Sequence, residues 1–164
     1  MLSLVSHPDY DIPLPDGHRF PSTKFSALMA RLAADEVRDR FTLLQPEPAG
    51  PADLARTQDP AYVEAIATGT LDADALRVLG LTWSQVLANR SFLAVNGTLL
   101  TARKALTHGL ACHAAGGTHH AHFAHGAGYC VFPDPAYTAV RLLEAAAVRQ
   151  VPRLDGDVPP AAGP

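Results

Sequence analysis

Four of the chain's eight histidines, His119, His120, His122 and His125, lie in one stretch, GGTHHAHFAHGAGYCVF, residues 116–132. Imidazole titrates near neutral pH, carries protons and binds metals. Glycine lets backbone turn tightly or approach a ligand, and Gly116, Gly117, Gly126 and Gly128 flank these histidines. Two carboxylates, Asp155 and Asp157, follow a later apolar segment. In extended backbone their i, i+2 spacing puts both on one side. A paired-histidine loop facing two aspartates is a workable acid–base or metal site. An aspartate that accepts an imidazole N–H orients the ring and raises its basicity. His119 and His120 are the candidates for this chemistry, since the flanking glycines imply close backbone packing around a pocket. His122 and His125 are assigned to an exposed loop that could bind metal adventitiously. Tyr129 either lines the pocket or packs in the core. His108 and His113 read as helix-end and packing residues; His7 and His18 sit in an early loop that could form a pocket rim.

The elements that must position these residues follow from periodicity and punctuation. Leu2–Ser6 and Phe41–Leu44 read as strands, and Leu110–Ala115 as a buried strand or the approach to one. Ser22 is read as the N-cap of a helix whose apolar face is Phe25, Leu28, Met29 and Leu32. Asp59-Pro60 opens an amphipathic helix carrying Tyr62, Val63 and Ile66. Asp72 caps a short helix through Leu79. A long helix runs from about Ser84 to His108 and stops at Gly109. Tyr129–Phe132 is a short apolar run. Asp134-Pro135 opens a helix with Val140, Leu143 and Ala147 on one face, and Gln150–Leu154 sits where a strand should follow. Strands alternating with helices predict an α/β fold with a parallel sheet, whose ligands bind at the carboxyl ends of the strands.

Composition narrows the function classes. The 164 residues suffice for one domain with a real core. A net charge of −3 provides no basic face for nucleic acid, and no apolar run approaches the ~20 residues of a membrane span. The first residues have neither a basic region nor a long apolar core, so no secretion signal is expected. The two cysteines, Cys112 and Cys130, are read as buried thiols rather than a disulfide, which fits a reducing cytoplasm.

GGTHHA followed by GYCVF and an aspartate resembles the active-site motif of the histone deacetylase superfamily, in particular its small bacterial and class IV-like members. DIPLPDGHRFPSTKF, DPAYVEAI and RVLGLTWS agree, so the resemblance spans about residues 7–157. It implies an arginase/deacetylase-like three-layer α/β fold with a parallel sheet of about eight strands. It implies a Zn²⁺-dependent amide hydrolase acting on acetylated lysine or acetylated small amines. By position, His119 and His120 match the tandem general base and general acid, and Asp155 the carboxylate that orients the first of them. Tyr129, next to Gly128, matches the aromatic that lines the substrate tunnel, and Asp157 matches a zinc ligand.

The family's zinc motif is Asp-x-His before a glycine-rich turn. Here DGDVPPAAGP puts Pro159 where the second ligand belongs, and proline cannot ligate zinc. A catalytic zinc needs three protein ligands; Asp157 is the one expected here. The central strand expected before it, QVPRL, carries Pro152 and Arg153, and residues 158–164 read as an irregular proline-rich tail. The expectation is therefore a partial deacetylase-like domain over residues 1–164, inactive by itself, with a missing C-terminal half or self-association as its partner. The alternatives are a non-catalytic binding module and a histidine-loop metal-binding protein.

Overall fold

A computed structural model of the protein describes residues 1–34 and 37–156. Three parallel strands form its sheet: β1 (Leu2–Val5), β2 (Phe41–Leu44) and β3 (Ala111–His113), in the order β2-β1-β3. The registers pair Leu2 with Phe41 through Val5 with Leu44 on one side of β1, and Ser3 with Ala111 through Val5 with His113 on the other. The central strand is the apolar one: Leu4 and Val5 are buried, as a strand covered on both faces requires.

Six α-helices are assigned among the described residues: α1 (Lys24–Ala34), α2 (Pro51–Leu54), α3 (Pro60–Thr68), α4 (Ala73–Leu79), α5 (Gln85–His108) and α6 (Asp134–Glu144). The expected caps are present. The Asp59 carboxylate accepts from Ala61 N at 2.8 Å, that of Asp72 from Ala75 N at 2.8 Å, and the Ser84 hydroxyl from Leu87 N at 3.1 Å. Each satisfies an amide that the first turn leaves without a partner. α5 packs on β1, β3 and α6. The main core lies under it, built on Leu54, Ile66, Leu79, Leu87, Leu99, Phe132 and Tyr137. A smaller core of Tyr10, Phe25, Leu93, Ala94 and Ala115 sits beside the histidine loop.

Several expectations fail in instructive ways. α1 begins at Lys24, two residues beyond Ser22, and of its apolar stripe Phe25 alone is buried; Leu28 is 42% exposed. α6 buries Tyr137, Thr138 and Leu142 rather than Val140, Leu143 and Ala147. Its inward face is chosen by the aromatic ring, which packs in the main core. The Tyr129–Phe132 run is buried at Cys130, Val131 and Phe132 but forms only an isolated bridge, Ala127 to Cys130. Gln150–Leu154 is not a strand: it is irregular and exposed, consistent with the ladder donor lost at Pro152. Cys112 is exposed and Cys130 buried, both as free thiols. The Asp157 position, Pro159 and the 158–164 tail lie outside the described residues.

Candidate active site

The histidine loop leaves β3 at the carboxyl end of the sheet and returns to α6. It is pinned from several sides. Gln58 Nε2 donates to His122 O at 3.1 Å and Asp59 N to Phe123 O at 2.9 Å. The Tyr62 hydroxyl donates to Val131 O at 3.0 Å, and Tyr129 N to Leu79 O at 2.9 Å. The amino-terminal end of the loop is held by Asp134, a 1% exposed carboxylate in the first turn of α6. One of its oxygens accepts from Thr118 N at 2.6 Å and from the Thr118 hydroxyl; the other accepts from Gly117 N at 3.0 Å and from the Thr98 hydroxyl on α5.

Behind Asp134 runs a buried chain of hydrogen bonds whose direction can be worked out. The one hydroxyl proton of Thr98 goes to the charged Asp134, the stronger acceptor. Thr98 Oγ1 must then accept from His113 Nδ1, 2.9 Å away. His113 is thereby Nδ1–H, and its Nε2 accepts from the Tyr10 hydroxyl at 2.7 Å. Arg90 Nε donates to Tyr10 O at 3.1 Å. Burial holds His113 down to about 4, against the opposing pull of Asp134 and with help from Arg90; the same burial raises the Tyr10 phenol and lowers the Arg90 guanidinium. This chain crosses α5 at Gly97, where a Cβ would lie 2.5 Å from both His113 Nε2 and the Tyr10 oxygen. At Gly116 a Cβ would meet His113 Nδ1 at 2.7 Å and Thr98 Oγ1 at 2.9 Å. At either position an added methyl would have to displace members of this bonded chain. His113 is thus a network residue as well as a packing one.

On this support stand His119 and His120, with ring centroids 4.2 Å apart. His119 Nδ1 lies 3.1 Å from Gly117 O and 3.6 Å from Asp155 Oδ2. Both partners can only accept, so neutral His119 is Nδ1–H and the ring's lone pair is on Nε2. Asp155 also takes a 2.8 Å hydrogen bond from Arg153. Gly128 lies over His120: a Cβ there would sit 3.3 Å from the His120 ring. Tyr129 holds a left-handed φ of 66°, costly for a non-glycine residue, and its ring stands against Phe20 at 5.5 Å and His18 at 5.8 Å. His18 is itself fixed, accepting from Phe20 N at Nδ1 and donating from Nε2 to Gly80 O. Together His119, His120, Gly128 and Tyr129 line a cavity of about 200 Å³. Arg90 and Lys24 also line it and lie over the Phe20 and Phe25 rings. The arrangement offers one imidazole nitrogen able to take a proton, a second imidazole beside it, an aromatic wall and cationic groups in the lining.

His122 and His125 stack on each other at 4.6 Å, exposed, and are not in the lining of that cavity. Sequence reasoning did not single out Tyr10, Thr98, Asp134, Arg90 or Gln58 as site residues. The signal available was the acidic residue after GYCVF, which reads as a helix opener because proline follows it.

The histone deacetylase domain model matches residues 18–159. The chain belongs to the histone deacetylase family. It is 41% identical over 155 residues to an uncharacterized protein of Picosynechococcus sp., a match covering 94% of this chain and 52% of that protein. The chain also superposes on the crystal structure of the HDA15 HD domain with a TM-score of 0.71 at 16% identity, over 88% of this chain and 43% of that one. It therefore has the α/β deacetylase fold and spans about half the length of these relatives. No helix among the described residues is long and apolar enough to cross a membrane. Deacetylase domains generally use zinc, yet among the described residues no three His, Cys, Asp or Glu side chains converge to hold a metal ion. The described donor set does not fit a catalytic zinc, which takes three protein ligands.

Proposed function

We propose that this chain carries the acid–base pair and the acyl-amine wall of a deacetylase-type amide hydrolase, with acetylated lysine or an acetylated small amine as its ligand. The observation that carries the reading is His119: its Nδ1 faces two acceptors, Gly117 O and Asp155, so the neutral ring keeps its proton there and Nε2 is its basic nitrogen. In this reading His119 Nε2 takes a proton from the attacking water. His120 gives a proton to the departing amine, and acetate and the free amine are released. Tyr129 and Gly128 flank the acyl-amine stem, and Asp155 supports His119.

Proton transfer contributes only ~10²–10⁴ to such a reaction, and activating water for amide attack draws on a firmly held metal. Asp157 is the zinc ligand the motif supplies, with Pro159 in place of its partner. The chain alone is accordingly expected to release no acetate above background from an acetyl-lysine peptide, with zinc added. His119→Ala/His120→Ala is expected to behave identically. Turnover by the native chain that the double change abolishes would contradict this and locate a working metal site. Pro159 at the position of the histidine ligand favours a second reading, in which the same pocket binds the acylated amine without hydrolysing it.

A further inference from the structure

Asp134 grips the histidine loop through a peptide group that faces the catalytic candidate on its other side. Thr118 N–H and Gly117 C=O belong to one planar peptide unit, and no cis peptide occurs among the described residues. In a trans unit the N–H and C=O point in opposite directions. The N–H end is tied to Asp134 Oδ1 at 2.6 Å, and the C=O end receives His119 Nδ1 at 3.1 Å. The preceding peptide is tied too, by Gly117 N to Asp134 Oδ2 at 3.0 Å. The carboxylate is itself fixed by Thr98 and, through it, by His113 and Tyr10. Gly117 has a φ of 95° and nothing within 4 Å of a would-be Cβ, so glycine's freedom and not packing lets the peptide turn. Without Asp134 that freedom would leave the plane unaimed.

We propose that Asp134 is a positioning residue for the tandem histidines: by fixing the Gly117–Thr118 peptide plane it aims the Gly117 carbonyl at His119 Nδ1 and so selects the tautomer whose Nε2 can accept a proton. Asp155, at 3.6 Å and 40% exposed, is then the secondary partner of that nitrogen. The inference rests on the reading of His119 as proton acceptor, but it concerns the tautomer, which is measured without any turnover.

The test is a long-range proton–nitrogen correlation spectrum of the histidine rings, recorded on the full chain at a pH of about 8.5, roughly two units above the ordinary histidine value of ~6.5. His119→Asn assigns the resonance. In the native chain His119 should be predominantly Nδ1–H. Asp134→Asn is nearly isosteric, but its amide presents a donor to one of the two donor pairs, Thr118 N–H with its hydroxyl or Gly117 N–H with the Thr98 hydroxyl. It should turn His119 to predominantly Nε2–H, while the fluorescence of Trp83, which is anchored on Ile66 O outside the site, stays native. Asp155→Ala should leave the Nδ1–H form dominant. A merely structural role would lower stability without switching one ring's tautomer. A native His119 in the Nε2–H form, a folded Asp134→Asn chain with the tautomer unchanged, or a switch in Asp155→Ala each overturns the proposal. If Asp134→Asn does not fold, Thr98→Ala, which removes a donor that holds the Asp134 carboxylate, takes its place: a gain of the Nε2–H form supports the proposal and an unchanged tautomer overturns it. Acetate release is a separate measurement, so its failure leaves this result standing.

Discussion

Gly97→Ala should destabilise the fold by about 2–4 kcal/mol, although alanine is the better helix former by ~1 kcal/mol. The added methyl would lie 2.5 Å from both His113 Nε2 and the Tyr10 oxygen, which are hydrogen-bonded to each other at 2.7 Å. The methyl can enter only by parting them. Overfilling a packed site costs ~1–3 kcal/mol, and a buried polar group left without its partner costs ~1–3 kcal/mol more. Chemical denaturation of the native and variant chains measures the sum. A Gly97→Ala chain as stable as the native one, or more so, would mean that the Tyr10–His113 bond does not constrain α5.

The second large effect is a loss of stability in acid that originates at His113. Its pKa is depressed to about 4 in the folded chain, against an ordinary value of ~6.5 in an unfolded one. Between those two values the unfolded chain binds a proton that the native chain refuses. Stability therefore falls as pH drops from ~6.5 to ~4, and this group takes nothing further below that. At ~1.4 kcal/mol per pH unit, the loss across the window is on the order of 3 kcal/mol. The structural reason is burial, which disfavours the charged ring, with Arg90 adding to it and Asp134 opposing it; a proton on Nε2 would also face the Tyr10 hydroxyl that now donates to that nitrogen. Denaturation midpoints over this range should show a clearly shallower decline for His113→Gln than for the native chain, whatever its stability at neutral pH. Parallel declines would place the acid sensitivity in other groups.

The scaffold was readable where local rules decide. Asp59-Pro60, Asp72 and Ser84 are capping signals that act within three residues of sequence, and all three helices begin where these residues place them. The inward faces of α1 and α6 were less legible. Alternative apolar stripes exist on each, and tertiary partners chose among them: Phe25 joins Tyr10, and Tyr137 enters the main core. Of the site, the tandem motif identified His119, His120 and Tyr129 as candidates, and the structure brings them to one cavity. The support beneath them was hidden because its members come from four separate segments: Tyr10, Thr98, His113 and Asp134. No spacing rule links a helix-opening aspartate to a threonine 36 residues earlier. Gly97 was equally silent, since a glycine inside a helix shows its reason only when its neighbours across space are known.

The central claim is that the cavity beside His119 and His120 receives an acylated amine. The direct measurement is perturbation of the His119, His120 and Tyr129 resonances of the full chain on titration with an acetyl-lysine peptide and with the same peptide unacetylated. The account predicts saturable shifts at these three residues with the acetylated peptide, none with the free amine, and little change at the stacked His122 and His125. Equal responses to both peptides, or shifts confined to the His122–His125 pair, would contradict it.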